Sequence, residues 1–107
     1  ASVHLGLDAL ERERHAAQLA ASLVGFDQPR VVAGDVNEGP AGAAWQLLES
    51  TVGRAANVCQ PTFPSREPRH TIDTAFVGAG LSVLSVDVPA ATASDHRPVA
   101  VDLALPT

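Results

Sequence analysis

The chain opens in an extended pattern: in "ASVHLGL", Val3 and Leu5 fall on one face and His4 and Gly6 on the other. Asp8 then stands where a helix N-cap belongs, with Glu11 three residues later as in a capping box. Leu10, Ala17, Ala20 and Val24 follow at helical spacing with Leu23 beside them, which predicts an amphipathic helix over 9–24 that stops near Gly25 and Pro29. Glu11, Arg12 and Arg14 read as its solvated face. "RVVAG" (30–34) is a short apolar run of the buried-strand type, and after the turn-rich "DVNEGPAG" a second helix runs from about Ala43 to Thr51. Trp45, Leu48 and Val52 turn towards the core at that helix's spacing. Residues 53–70 read as loop, because Pro61, Pro64 and Pro68 interrupt regular structure.

Strand patterns close the chain. "TIDTAFV" (71–77) alternates Ile72, Thr74 and Phe76 against Asp73, Ala75 and Val77. "LSVLSVDV" (81–88) follows a Gly-Ala-Gly turn, and "PVAVDLAL" (98–105) puts Val99, Val101, Leu103 and Leu105 on one face. The expectation is an α/β (α+β) chain of about five strands and two helices, one sheet with helices on one side. The other sheet face then needs a partner layer. Since the first residues already read as mid-strand, 1–107 is expected to be a single partial domain.

Composition narrows the partners. The formal charge is −5, from 7 basic and 12 acidic residues, and every cation other than histidine is an arginine. No basic stripe of the kind that neutralises a phosphate backbone is present, so tight duplex DNA binding is not expected, while a small phosphoester remains compatible. Aromatics make up only 4%, which leaves Ala, Val and Leu to build most of the core. Cys59 is alone, which excludes an intramolecular disulfide and a cysteine-based zinc site, and it reads as a small buried hydrophobe. No apolar run reaches membrane-spanning length, no leader-like segment precedes Val3, and no compartment is indicated.

Polar residues gather at expected strand ends in Gly34-Asp35-Val36-Asn37, Ile72-Asp73 and Ser94-Asp95-His96-Arg97-Pro98. In extended backbone Asp35 and Asn37 project to the same side while Val36 anchors the other. A carboxylate there can hold or deprotonate a water, and an amide beside it can donate to a phosphate oxygen. Taken singly, Gly-Asp-x-Asn is a common turn, and Asp95-His96 is a turn before Pro98. Together with His4 they suit one site. His15 and His70 read as surface residues, Trp45 as helix packing, and Arg97 as a structural partner for a carboxylate of its loop.

"VVAGDVNEGP", "PTFPSREPRHTIDTAFV" and "ASDHRPVAVDLAL" resemble the second half of the endonuclease/exonuclease/phosphatase family, whose fold is similar to deoxyribonuclease I. "SVHLGL…ERERHAAQLAA" resembles the segment in which that family places a strand with an active-site histidine and then a helix. Asp73 lies 38 residues after Asp35 and Asp95 lies 22 after Asp73, compact spacings that suit smaller members. The resemblance implies one half of a four-layer α/β/β/α sandwich. It implies His96 as general base or acid beside the scissile phosphate, with Asp73 orienting its ring. Asp35 would position or deprotonate the attacking water, Asn37 would hold the phosphate, and His4 would contact a phosphate oxygen from the opposite side. Asp95 would ligate Mg²⁺ (or Mn²⁺), directly or through water. The resemblance leaves open whether Asp35 or His96 would be the base.

The family's main metal-binding Glu, an upstream Asn and the carboxylate that orients the first His come from its N-terminal half, and nothing here matches them. Glu11, Glu38, Glu49 and Glu67 fall on a helix face or in loops, so the metal site is expected to be incomplete. Two readings follow. One is a phosphodiester or phosphomonoester hydrolase that needs a missing N-terminal half, with nucleic acid, inositol phosphate and lipid all open as substrate. The other is a catalytically silent half-domain that forms a homodimer or packs on a partner through its open sheet face.

Overall fold

The computed structural model describes residues 1–25 and 28–106. In chain order its elements are β1 (Ser2–His4), α1 (Ala9–Leu23), β2 (Val31–Asp35), α2 (Ala43–Thr51), β3 (Gly53–Ala55), β4 (Asp73–Gly78), β5 (Ser82–Asp87) and β6 (Ala100–Ala104). The first strands form a sheet in the order β1-β2-β4-β3, with β1 parallel to β2 and the other pairs antiparallel. β5 and β6 form a separate antiparallel ribbon with an irregular register between Val83 and Ser85.

Val32 and Phe76 are register partners on the face that the helices cover. Trp45 and Leu48 of α2, Ala16 of α1, Val36 and Leu5 complete that core, and Trp45 meets Phe76 edge-on with ring centroids 5.4 Å apart. Phe76, Trp45, Leu48 and Val32 are fully buried, so the few large side chains do most of the filling that the Ala/Val composition cannot. Gly34 sits at φ 147°, and a Cβ there would come 1.9 Å from the Val3 carbonyl oxygen, so the parallel pairing requires glycine.

Several expectations change. α2 has the expected bounds and Asp8 does cap α1 by accepting from the Glu11 N–H at 3.3 Å. The buried stripe of α1, however, runs through Ala16, Leu19 and Leu23, while Leu10 and Val24 are exposed. The helix is rotated because Arg12, read as solvated, turns inwards to an ion pair with Glu38 at 2.6 Å. The 53–70 segment is not all loop. Gly53–Ala55 is an edge strand on β4, and Phe63 bridges His70. Among the described residues this gives six strands in two sheets rather than one continuous sheet. Cys59 is exposed, and Arg97 donates through Nε to the Ser65 carbonyl rather than to a carboxylate. Leu105 is exposed, whereas Val99, Val101 and Leu103 line a groove of about 480 Å³ against Val31, Ala33 and Ala75 on the helix-free sheet face. Among the described residues no helix is long and apolar enough to cross a membrane.

Candidate active site

Strand register builds the first part of the site. His4 pairs with Asp35 across β1 and β2, and Asp35 pairs with Asp73 across β2 and β4. All three therefore stand in one row across the end of the sheet. Two carboxylates directly opposite each other repel. That arrangement persists where a cationic group can sit between them.

His96 occupies that position. It comes from the connection between β5 and β6, and its Nδ1 lies 2.7 Å from Asp73 Oδ2 while its Nε2 lies 3.5 Å from Asp35 Oδ2. The hydrogen bond to the carboxylate puts the proton on Nδ1 and turns Nε2 to the cavity side. His4 Nε2 is also 3.5 Å from Asp35 Oδ2, though the His4 side chain is largely exposed. His4, Asp35, Asn37, Asp73, Asp95 and His96 all line one cleft of about 1070 Å³, together with Leu7, Asp8, Glu11 and Phe63. Asp95 is exposed and accepts from the Ser94 hydroxyl.

Asn37 reaches the cleft by a different route from the one alternation suggests. β2 ends at Asp35, and Asn37 adopts left-handed backbone at φ 57°, a conformation that Asn tolerates. Its N–H donates to Asp35 Oδ1 at 2.9 Å and its side-chain amide donates to the Leu5 carbonyl. One amide hydrogen is thus committed to holding the loop, and the other remains for a ligand.

The electrostatics follow from this packing. Burial raises the Asp35 pKa above its ordinary 3.8, the Asn37 N–H opposes that, and the neighbouring Asp73 charge adds to the rise. For His96, burial favours the neutral ring. The Asp73 hydrogen bond and the charges of Asp73, Asp35 and Asp95 outweigh it and raise the pKa above 6.5.

Further members of the site carried no signal in the sequence pattern. Thr62 is fully buried and donates from its hydroxyl to Asp73 Oδ2 at 2.6 Å, the same oxygen that meets His96. Asn57, also buried, donates to the Asp73 backbone carbonyl at 3.1 Å. The Phe63 ring lies 4.7 Å from the His96 ring at a tilt of 42°. Backbone bonds from Ser65 N–H to the Asp95 carbonyl and from Arg97 N–H to the Thr62 carbonyl dock the 62–65 segment onto the His96 loop. No spacing rule reveals such contacts, because they tie the irregular 57–65 segment to β4 and to the His96 loop without any repeating pattern.

Asp35, Asp73 and His96 each offer one ligand atom within 4.8 Å of one another, so a cation could sit among them. With His96 Nδ1 already bonded to Asp73, that trio is better matched to proton handling. Asp95 stands outside it on the same cleft and is an oxygen donor of the kind a hard divalent ion takes alongside waters.

No family model matches the sequence, and no curated protein matches it. Solved structures do. The mannosyl-6-phosphatase of Bacteroides thetaiotaomicron superposes with a TM-score of 0.80 at 19% identity, over 97% of this chain and 50% of that one. The endonuclease/exonuclease/phosphatase from Bacteroides vulgatus gives 0.76 at 24%, over 91% and 45%. The human Nocturnin catalytic domain, with bound sulfate, gives 0.71 at 20%, over 96% and 45%. The chain thus spans about half the length of these proteins and has the fold of one half of an endonuclease/exonuclease/phosphatase domain.

Proposed function

We propose that this half-fold carries the proton-handling and phosphate-facing groups of a phosphoester hydrolase, active together with a complementary half. The observation that carries the reading is His96 between Asp73 at 2.7 Å and Asp35 at 3.5 Å, on a cleft whose lining also includes Asn37 and His4. A phosphatase among the proteins of like fold supports the same chemistry.

The roles divide by acidity. Asp35, with its pKa raised, is a stronger base than an ordinary carboxylate and takes the proton of the attacking water. His96, with its pKa also raised, stays protonated closer to neutral pH and donates towards a phosphoryl oxygen. Asp73 holds the ring and balances its charge, and Thr62 holds Asp73. The free amide hydrogen of Asn37 and the exposed imidazole of His4 face the phosphate. Asp95 would help hold Mg²⁺ or Mn²⁺, which when bound would neutralise phosphate charge.

The test is hydrolysis of a generic phosphomonoester and a generic phosphodiester in Mg²⁺, with and without His96→Ala. The expected loss is about 10²–10⁴-fold. An unaffected rate ends the assignment. A second reading rests on the apolar groove between the helix-free face and β6: a silent half-domain that pairs with a second copy there. It predicts concentration-dependent sedimentation without hydrolysis.

A further inference from the structure

We infer that the ion pair between Arg12 and Glu38 is a positioning device for the cleft, fixing Asn37 in its left-handed backbone and setting the wall beside His4. For its catalytic consequence the inference rests on the hydrolase reading above; its structural content does not.

The pair lies off the cleft floor and is largely shielded, with 14% and 10% of the two side chains exposed. Arg12 comes from the first turns of α1. Its Nε donates to Glu38 Oε1 at 2.6 Å, and its Nη1 donates to the Leu7 carbonyl at 2.6 Å and the Gly6 carbonyl at 3.4 Å. Gly6 and Leu7 form the cleft wall that follows His4. One guanidinium fork therefore binds that wall to the residue after Asn37.

Glu38 is held from its other side as well. Its Oε2 accepts from the Trp45 N–H at 3.1 Å, in the first turn of α2. The N-cap of that helix, Gly42, has no side chain to do this. A Cβ on Gly42 would fall 1.8 Å from Glu38 Oε2, so the cap must be glycine for the carboxylate to lie there. The Glu38 carboxylate thus lies at the N-terminal end of α2.

The consequence falls on Asn37. Left-handed backbone at a non-glycine residue persists where its surroundings over-determine it. The Asn37 amide bonds the Leu5 carbonyl, Leu5 N–H bonds the Asp35 carbonyl, and Glu38 pins the next residue to α1 and α2. Among the described residues, every charged contact of the pair goes to the cleft wall, to a helix start or to its partner, and none goes to the sheet.

The test uses the full chain with Arg12→Gln and Glu38→Gln, reading amide hydrogen exchange by NMR. The expected result is exchange at least about tenfold faster at Asn37 and Leu5, with β4 amides changed less than about twofold. Arg12→Lys keeps the charge but not the fork and should not restore protection. Where hydrolysis is measured, kcat should fall about tenfold with KM changed less than about threefold. Unchanged exchange at Asn37 and Leu5, or a uniform rise that includes β4, overturns the inference. Should Arg12→Gln not fold, Glu38→Gln retains an acceptor for the Trp45 N–H and carries the same comparison. A wild-type chain without hydrolysis in the presence of its complementary half would sink the hydrolase reading, and the exchange contrast would still decide this one.

Discussion

The four-stranded sheet and the β5–β6 ribbon supply the same cleft by different means. The sheet sets His4, Asp35 and Asp73 in one row through strand register, over a core closed by Val32, Phe76, Trp45 and Leu48. The ribbon has little interior of its own: Val83 and Leu84 are exposed on β5, and Leu105 lies exposed beyond β6. Its contribution, His96, is held by loop contacts from Thr62 and Ser65 to residues 95–97, and its ring is met by Asp73 at the start of β4. Register fixes the spacing between carboxylates, and loop hydrogen bonds fix the approach of the imidazole. A cleft assembled this way separates the residues that keep the sheet folded from those that orient the imidazole.

The sharpest way to break that contrast is in the core. Phe76→Ala should cost about 3–5 kcal/mol in denaturant unfolding. Loss of the His96–Asp73 contact should follow only as the whole sheet melts. Thr62→Val should cost about 1–3 kcal/mol, since it removes a buried hydroxyl that bonds a carboxylate. Unlike the core change it should also lower kcat about tenfold with the sheet intact by circular dichroism. A Thr62→Val rate equal to wild type would show that Asp73 is aimed by the strand alone.

Asp35→Asn should move stability the other way. It removes one of two opposed carboxylates, so unfolding at neutral pH should become harder by about 0.5–1 kcal/mol while hydrolysis is lost. The pH dependence follows from the two raised pKa values: burial first, with the Asp73 charge adding to it, raises Asp35, and the Asp73 hydrogen bond with the surrounding carboxylates raises His96 against burial. A folded-state pKa raised above the unfolded value means that the folded state binds its proton more tightly. Asp35 therefore contributes stability that is full below pH 3.8 and lost as pH rises through its raised value, and His96 contributes stability that is full below pH 6.5 and lost above it. Asp35→Asn should abolish the acidic decline and leave a decline starting above pH 6.5, smaller than in wild type because Asp35 no longer helps to hold the imidazolium. The smallest effect belongs to the ribbon, where Leu84→Ala should change stability by less than about 0.5 kcal/mol. A larger loss there would mean that the ribbon shares the core.

The sequence was most legible where one periodic face meets one partner. Trp45, Leu48 and Val52 recur at helical spacing against Phe76, and α2 has the bounds that spacing implies. Strand ends bearing Asp35 and Asp73 were legible for the same reason, as apolar runs broken by a polar residue. The face of α1 was not, because Arg12 is drawn inwards by Glu38, 26 positions away. β3 escaped because Gly53–Ala55 is too short to show a period; it is a strand only because the edge of β4 is there to pair with. The role of Thr62 was hidden within a proline-rich segment whose order comes from docking onto the His96 loop.

In the proposed function the His96 imidazole is a proton carrier held between Asp73 and Asp35. Titration of His96 by NMR tests it without any substrate. The midpoint should lie above 6.5 in the wild-type chain and fall towards 6.5 in Asp73→Asn. A wild-type midpoint at or below 6.5, or one that Asp73→Asn leaves in place, would contradict it.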